Sequence, residues 1–203
     1  LFWKNDEAEL FLDTSGPSLA RHGYRKLPGK APMLEALAAA TILSTKWDRF
    51  TPFINPMCGS GTFIIEALMI LTDRAPGLVR RFGFNGWHGH DRELWLSLKA
   101  EAAERHEKAL EQPLPKFYAF DADWEAVKAT RENIIAAGFE KLLSQIQIEE
   151  RTLADWPDFA AEKKTVAASS KKVEKKEVKK HKKAEASMKV ADDKPKAPAK
   201  KKK

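Results

Sequence analysis

The sequence predicts an α/β fold, an open Rossmann-like sheet whose parallel strands alternate with helices. A short apolar run at 50–54 leads into a turn with two glycines and then into a longer apolar run at 62–73, which is the order strand, turn, helix. The same order recurs at 116–120 and 124–137, and a further strand is expected at 145–149. Alternating strands and helices are typical of a parallel sheet covered by helices. Because so few units are present, we expect an incomplete sheet.

An N-terminal segment, residues 1–30, precedes these units. Its residues 8–13 alternate weakly in hydropathy, turn residues follow at 15–17, and a second short strand is expected near 22–26. This pattern predicts an antiparallel hairpin. The first helix is expected at 34–47, where Ala, Leu and Ile occupy most faces. We therefore expect that helix to be buried.

For two later helices the sequence predicts both the apolar face and the residues at which the helix begins and ends. The charged stretch 92–110 predicts an amphipathic helix on the outside of the fold. Its apolar positions are Leu94, Leu98, Ala102 and Ala109. For the helix at 124–137 the expected buried positions are Trp124, Val127, Ile134 and Ile135. Gly138 and Phe139 follow it and predict a glycine C-cap with its hydrophobic contact.

Charge is unevenly distributed along the 203 residues. The formal net charge is +7, yet residues 162–203 contain 17 Lys against 6 Asp and Glu, so the preceding residues carry a net charge of −4. Lys, Ala, Glu and Val dominate from residue 161 onward, without any aromatic residue. This composition favours a disordered tail at 161–203. Such a tail either holds RNA loosely through phosphate contacts or is a solvated linker without a specific partner.

The composition also excludes several kinds of site. A single cysteine, Cys58, rules out an internal disulfide and a cysteine-based zinc site, and it fits a reducing cytoplasm. No basic residue lies beside Cys58 in the sequence, which favours a packed thiol over a nucleophile. His88 and His90 lack helical metal spacing and a third ligand, so no metal site is expected. No apolar run approaches the length of about twenty residues that a transmembrane helix needs.

The glycine turn spans residues 55–62, Asn-Pro-Met-Cys-Gly-Ser-Gly-Thr. It is not a Walker phosphate loop, because no Gly-Lys-Ser/Thr follows, and Ile64 occupies the third glycine position of the dinucleotide pattern. The turn is either a place where the backbone approaches an anionic or nucleoside ligand, or an ordinary tight turn. Asp121, at the end of the second strand, is either a partner of ribose hydroxyls or a helix cap or its neighbour.

The segment between the first two units places basic residues among aromatic ones. Arg80 and Arg81 precede Phe82, Phe84 and Trp87. Such a combination either binds RNA by stacking and phosphate contact or uses its aromatic rings to pin a long loop onto the core. The second interpretation is favoured.

Four ordered stretches resemble one known family. Residues 55–67, Asn-Pro-Met-Cys-Gly-Ser-Gly-Thr-Phe-Ile-Ile-Glu-Ala, resemble the D-P-M-C-G-S-G-T-x-x-I-E-A signature of the THUMP-associated rRNA guanine-N2 methyltransferases. Residues 12–25 resemble the family's LDTSG…RGYR hairpin, and 31–40 resemble its APLxExLAAA helix. Residues 73–91 resemble the insert after the first helix. The resemblance covers the chain from about residue 10 to residue 156.

This resemblance implies a partial class I methyltransferase domain at 31–160 that binds S-adenosyl-L-methionine (SAM). It further implies methylation of the exocyclic amine of a guanine in large-subunit rRNA, hence RNA binding and a cytoplasmic location. In the family an Asp after the third strand contacts the adenine; Thr152 occupies its first acidic position here, which leaves Asp155. The implied cofactor-binding residues are Asn55, Met57, Gly59, Ser60, Gly61, Asp121, Asp155, Pro32 and Met33.

Two departures from the family limit what the resemblance implies. Asn55 stands where the signature has an acidic residue, and no Pro-Pro pair occurs, so the catalytic N/D-P-P-Y/F loop is missing from the 203 residues. We therefore assign no catalytic residue and expect this chain alone to be inactive. A truncation or gene-model error, a long insertion and a pseudoenzyme are the competing explanations. The alternative function is a non-catalytic RNA-binding fragment that acts through its basic tail.

Overall fold

The computed structural model describes residues 1–29 and 31–155, and the expected tail at 161–203 lies outside them. The strands and helices in chain order are β1 (Phe2–Lys4), β2 (Glu7–Glu9), α1 (Glu35–Ser44), β3 (Phe53–Asn55), α2 (Thr62–Leu71), α3 (Arg92–Leu110), β4 (Phe117–Asp121), α4 (Trp124–Ala136) and β5 (Ile146–Glu150). Short 3₁₀ helices lie at Gly83–Gly86, Glu140–Gln145 and Leu153–Asp155.

A parallel sheet of β3, β4 and β5, in that order, forms the centre of the described chain. In its register Ile54 lies beside Tyr118, and Tyr118 lies beside Gln147. Helix α2 follows β3 and packs three fully buried side chains into the core: Ile64, Ile65 and Leu68. The predicted parallel βα units are confirmed. Helix α3 also has its predicted bounds, whereas α1 and α2 are shorter than expected.

The end of α4 follows the predicted glycine C-cap. Gly138 has φ +84°, its N–H donates to the carbonyl of Ile135, and the Phe139 N–H donates to the carbonyl of Ile134. These two bonds satisfy carbonyls that the helix end would otherwise leave unpaired. Phe139 is buried and lies under the guanidinium of Arg74, whose carbon is 5.3 Å from the ring centroid.

The predicted N-terminal hairpin at 8–13 and 22–26 is wrong. The observed hairpin pairs β1 with β2, earlier in the chain, with Phe2 opposite Glu9. Its turn uses Asn5 at φ +50°, a conformation that Asn tolerates better than most residues. Residues 22–26 form no strand: the His22 and Tyr24 side chains bond to Glu66 of α2, and the Lys26 N–H donates to the Asn133 side chain of α4.

Three predicted helix faces also need correction. In α3, Leu94 and Leu98 are exposed and the buried residue is His106, whose Nδ1 lies 2.9 Å from the carbonyl oxygen of Thr72. In α4 Val127 and Ile134 are buried as predicted. Other apolar residues that were expected to be buried are exposed: Leu34, just before α1, Leu37 and Leu43 in α1, and Trp124 and Ile135 in α4. Within residues 1–29 and 31–155, no helix combines the length and apolarity that crossing a bilayer requires.

The cap of α4 yields a stability prediction. We expect Gly138→Ala to lower the free energy of unfolding by about 1–3 kcal/mol, because an L side chain is strained at positive φ. The added Cβ would also lie 3.0 Å from the Arg74 guanidinium. Gly86→Ala is the matched control, since its Cβ would meet no atom within 4 Å. Urea denaturation measures both variants, and equal losses would contradict the role assigned to the cap.

Candidate ligand-binding site

The glycine turn is bonded to the end of the neighbouring strand. The Cys58 N–H donates to the carbonyl of Phe120 at 2.8 Å, and the Gly59 N–H donates to Asp121 Oδ2 at 2.9 Å. These bonds follow directly on the pairing of β3 with β4, which ends where Asn55 faces Ala119. The turn is therefore fixed relative to the Asp121 carboxylate before any ligand binds.

The two glycines of the turn serve different purposes. Gly61 precedes α2 at φ +83°, and a Cβ there would lie 3.1 Å from Thr130 side-chain atoms. Gly61 thus allows the turn to pack against α4. Gly59, at φ +54°, would direct a Cβ into open space with no atom within 4 Å. The space beside Gly59 is part of a cavity.

This glycine-turn cavity has a volume of about 450 Å³. Its walls come from the chain before α1, from the turn and the start of α2, and from the end of β4 with the start of α4. The lining residues are Pro28, Gly29, Ala31, Pro32, Met33, Met57, Cys58, Gly59, Ser60, Thr62, Phe63, Asp121, Asp123, Glu125, Ala126 and Ala129. Carboxylates therefore lie on one side, and mostly apolar side chains lie on the others.

The two aspartates of the acidic side have distinct contacts. Asp123 caps α4 by accepting from the Glu125 N–H at 2.9 Å. Asp121 is the neighbour of that cap, and its Oδ1 accepts from the Asp123 N–H at 3.1 Å while Oδ2 accepts from Gly59. The helix-cap alternative therefore belongs to Asp123. A carboxylate oxygen has more than one lone pair, so Asp121 retains acceptor capacity towards the cavity.

The wall before α1 is held in place by buried polar contacts. The Arg25 guanidinium donates to the carbonyl of Met33 and, at 2.9 Å, to Thr62 Oγ1. Tyr24 donates its hydroxyl to Glu66 of α2 at 2.8 Å. Burial, together with the Glu66 carboxylate, raises the pKa of Tyr24, so its hydroxyl remains a neutral donor. The His22 ring also contacts Glu66, with Nδ1 2.8 Å from Oε1.

Most of the predicted cofactor-binding residues meet at this cavity. Pro32, Met33, Met57, Gly59, Ser60 and Asp121 line it. Gly61, Asn55 and Asp155 do not. Asn55 is buried at the end of β3, and its Nδ2 has no hydrogen-bond partner among residues 1–29 and 31–155. Asp155 lies in the 3₁₀ helix after β5, where its carboxylate accepts from the Thr152 hydroxyl at 2.7 Å. The adenine contact of Asp155 remains a prediction.

Several lining residues were missed by sequence reasoning. Pro28 and Gly29 belong to a segment without secondary structure, and no local sequence pattern predicts that they lie beside the turn. Asp123 and Glu125 could have been found, because residues that start a helix after a ligand-binding strand face the same crevice. Ala126 and Ala129 follow from the same helix start at a spacing of three.

The cavity thiol has the inert character expected of it. Cys58 is buried, and burial raises the pKa of its thiol to about 11. The Thr130 hydroxyl lies 3.3 Å from Sγ and opposes this shift. At neutral pH the thiol is therefore protonated, and it acts as a small packing group beneath the turn.

Phe82 and Phe84 fix the loop before α3 in place, as the favoured interpretation predicts. They pack against Trp95 of α3, however, and not against the central core. Phe82 and Phe84 stack at 5.2 Å between centroids, and both contact Trp95 of α3 edge-on. Arg80 lies over Phe82 and donates to backbone carbonyls of Ser15 and neighbouring residues. Phe82 and Phe84 are occupied with one another and with Trp95, which argues against base stacking on them, whereas Trp87 is exposed. Within the described parts of the chain, no three potential metal ligands come together.

Comparison with known families identifies the domain. The model of the RMKL-like methyltransferase domain matches residues 22–166, well over half of the chain. The chain belongs to this family. The RMKL-like domain thus begins in the segment that carries His22, Tyr24 and Arg25, so this segment is an integral part of the domain. The family suggested by the turn motif is confirmed.

Two curated relatives of the chain are much longer proteins. Ribosomal RNA large subunit methyltransferase K/L of Acinetobacter baumannii (strain AYE) is 80% identical over 156 residues, which are 76% of this chain and 21% of that protein. The protein of the same name from Acinetobacter baylyi is 75% identical over 150 residues, 73% of this chain and 20% of the relative. The chain spans about a fifth of the length of these relatives.

Solved structures share the fold of this RMKL-like domain. SMU.472, crystallised as a complex with SAH, matches with a TM-score of 0.64 and 38% identity over 71% of this chain and 36% of its own. A predicted N6-adenine-specific DNA methylase from Listeria monocytogenes matches with a TM-score of 0.64 and 34% identity, covering 71% of this chain and 37% of its own. The expected Rossmann-like methyltransferase fold is confirmed.

The two glycines of the RMKL-like turn should differ in their effect on stability. We expect Gly61→Ala to cost about 2–4 kcal/mol of unfolding free energy, because strain at positive φ adds to overpacking against Thr130. Gly59→Ala should cost about 1–2 kcal/mol, from strain alone. Chemical denaturation of both variants measures the difference. A Gly59→Ala loss as large as that of Gly61→Ala would contradict the assigned packing.

The raised pKa of Cys58 predicts slow alkylation. At pH 8 iodoacetamide should label the folded domain on the order of 100-fold more slowly than the protein unfolded in urea, because only thiolate reacts. The rate should continue to rise up to about pH 11. Since the raised pKa favours the neutral thiol in the folded state, stability should fall as the pH rises through this range. Cys58→Ser gives the background, and similar folded and unfolded rates would refute the prediction.

Proposed function

We propose that this chain is the SAM-binding part of a methyltransferase that acts on large-subunit rRNA. The observation that carries the proposal is the glycine-turn cavity, in which Gly59 offers open space directly beside the Asp121 carboxylate. Similarity to SMU.472, which was solved with SAH, supports the choice of cofactor. The names of the curated relatives support the choice of rRNA.

The residues around the cavity fit this cofactor. A volume of about 450 Å³ lies within the range of about 300–1,000 Å³ that is usual for small-molecule sites. The carboxylates of Asp121, Asp123 and Glu125 suit hydroxyl groups and positive charge, whereas they oppose the phosphates of a dinucleotide. SAM is a nucleoside that carries a sulfonium and no phosphate. When bound, it supplies an electrophilic methyl group.

The residues of this chain would bind and orient the cofactor. Because the Gly59 N–H already donates to Asp121, Gly59 contributes close backbone approach rather than a free donor. Asp121 would accept from ribose hydroxyls, with its orientation fixed by the Gly59 and Asp123 N–H groups. Pro32 and Met33 would cover the cofactor from the opposite wall. The ligand would thus enter a preorganised site, which lowers the entropic cost of binding.

Methyl transfer and RNA recognition belong, in this proposal, to the longer protein of which the relatives are examples. The chain corresponds to about a fifth of their length, and it carries no residue that we assign to methyl transfer. We therefore expect the chain alone to bind SAM without methylating rRNA. Labelled methyl incorporation into rRNA by the isolated chain would contradict this expectation.

Calorimetric titration with SAM tests the cofactor assignment. The wild type should show saturable binding, and Gly59→Val should weaken it by at least about tenfold, because the side chain would occupy the cavity. Gly86→Val, in the loop before α3, is the control and should bind as the wild type does. Absence of binding by the wild type would refute the proposal. Unchanged binding by Gly59→Val would show that SAM does not occupy this cavity.

A second candidate function rests on the 17 Lys residues of 162–203. As an RNA-binding fragment, the chain should bind RNA with an affinity that falls steeply as salt rises, because each phosphate contact releases counterions. Filter binding between about 50 and 200 mM salt gives the slope. Deletion of 162–203 should abolish this binding, and affinity that survives the deletion would count against the tail as the binding element.

A further inference from the structure

We infer that Asn133, a residue of α4, is the positioning residue that holds the cavity wall at Pro28 and Gly29 opposite the glycine turn. Asn133 does not itself line the cavity, and no motif in the sequence points to it. The inference rests on the proposed function, because the wall is positioned for the ligand. The inference concerns which residue sets the width of the cavity, whereas the proposed function concerns only which ligand binds there.

The Asn133 side chain is fully buried and uses its whole hydrogen-bonding capacity. Its Oδ1 accepts from the backbone N–H groups of Lys26 at 2.8 Å and Leu27 at 3.0 Å. Its Nδ2 donates to the carbonyl of Leu27 at 2.8 Å and to the carbonyl of Ser60 at 2.9 Å. One amide therefore joins α4, the glycine turn and a segment more than a hundred residues earlier in the chain.

Only an amide of this size satisfies all four partners. The two N–H groups face Oδ1 and the two carbonyls face Nδ2, so the orientation of the amide is fixed by its partners. A carboxylate in its place would confront the carbonyls of Leu27 and Ser60 with negative charge. An apolar side chain would leave buried backbone groups unpaired, which is costly.

The bonds of Asn133 end directly at the cavity. Leu27 precedes Pro28 and Gly29, and Ser60 lies across from them in the turn. A Cβ on Gly29 would lie 3.8 Å from Ser60 Cβ, so the two walls meet beside the cavity in van der Waals contact. Because the 26–29 segment forms no strand, the Asn133 amide takes the place of strand pairing in fixing its backbone.

The wall has a second attachment, at Arg25. Arg25 donates to the carbonyl of Met33 and to Thr62 Oγ1, which secures the part of the wall next to α1. Asn133 secures the part next to Pro28. Loss of the Asn133 bonds should therefore free 26–29 locally, while Met33 stays attached to α2.

Asn133→Asp tests this role in the full 203-residue chain. We expect SAM to bind at least tenfold more weakly than to the wild type, under conditions in which circular dichroism shows both proteins folded. Phe139→Leu is the matched control, since it weakens the buried packing just after the C-terminal end of the same helix and leaves the Asn133 amide unchanged. It should change the dissociation constant by less than twofold. Asn133→Asp that binds like the wild type, or Phe139→Leu that loses as much, would overturn the inference.

A second pair of variants covers the case in which Asn133→Asp does not fold. Leu27 is partly exposed, and Leu27→Pro removes the N–H that donates to Asn133, besides fixing φ at residue 27 and restricting Lys26, whereas Leu27→Ala shortens the side chain and keeps the N–H. We expect Leu27→Pro to weaken SAM binding by roughly two- to tenfold, the worth of one hydrogen bond. Leu27→Ala should bind as the wild type does. Equal affinities for the two variants would overturn the inference.

Limited trypsin digestion separates this inference from the proposed function. Cleavage after Lys26 should be at least tenfold faster in Asn133→Asp than in the wild type, with Phe139→Leu and Leu27→Ala unaffected. In Leu27→Pro the rate is read after Arg25, because trypsin does not cleave a Lys–Pro bond, and it should rise by the same factor. If the wild type binds no SAM, the proposed function fails, and this digestion alone decides the role of Asn133. Equal cleavage rates in wild type and variants would then overturn it.

Discussion

The cavity depends above all on two hydrogen bonds that backbone N–H groups of the glycine turn donate to the end of β4, one to a carbonyl and one to a carboxylate. Cys58 and Gly59 donate to Phe120 and Asp121 immediately beyond the last paired residues of β3 and β4. The sheet therefore extends its own register into the turn, and one carboxylate is fixed by the same contacts. Gly61 then permits α2 to start against Thr130. The pairing of β3 with β4, the start of α2 and the open space for a ligand therefore all depend on the geometry of the glycine turn.

The wall opposite the turn is attached by polar side chains that have defined hydrogen-bond partners, in addition to the packing of Tyr24 in the core. Asn133, Arg25 and Glu66 each bond to backbone or side-chain atoms of the N-terminal segment. Hydrogen bonds in a buried setting are directional, and leaving one unmade is expensive. A wall attached in this way has one position, whereas an apolar contact would tolerate sliding. The position of this segment is therefore as well defined as that of a strand, although the segment has no secondary structure.

The parts of the fold that the sequence predicted are those determined by local patterns. Strand, turn and helix at the two βα units follow from apolar runs and glycines, and the C-cap at Gly138 follows from one residue type. The predictions failed where distant groups decide. Residues 22–26 form no strand, and their polar groups bond to residues of α2 and α4 that are distant in the sequence. Helix α3 buries His106 rather than Leu94 and Leu98, because the imidazole forms a hydrogen bond with the Thr72 carbonyl.

The charge of the cavity constrains how an RNA substrate could approach it. Asp121, Asp123 and Glu125 line one side, and the residues before 162 carry a net charge of −4, so RNA phosphates would be repelled from this region. An uncharged base does not meet that repulsion. In the proposed function, therefore, the target base has to leave its strand and enter alone, while basic groups elsewhere hold the backbone. Extrusion of the target nucleotide satisfies both requirements, and the acidic cavity then favours the cofactor without competing for the phosphates.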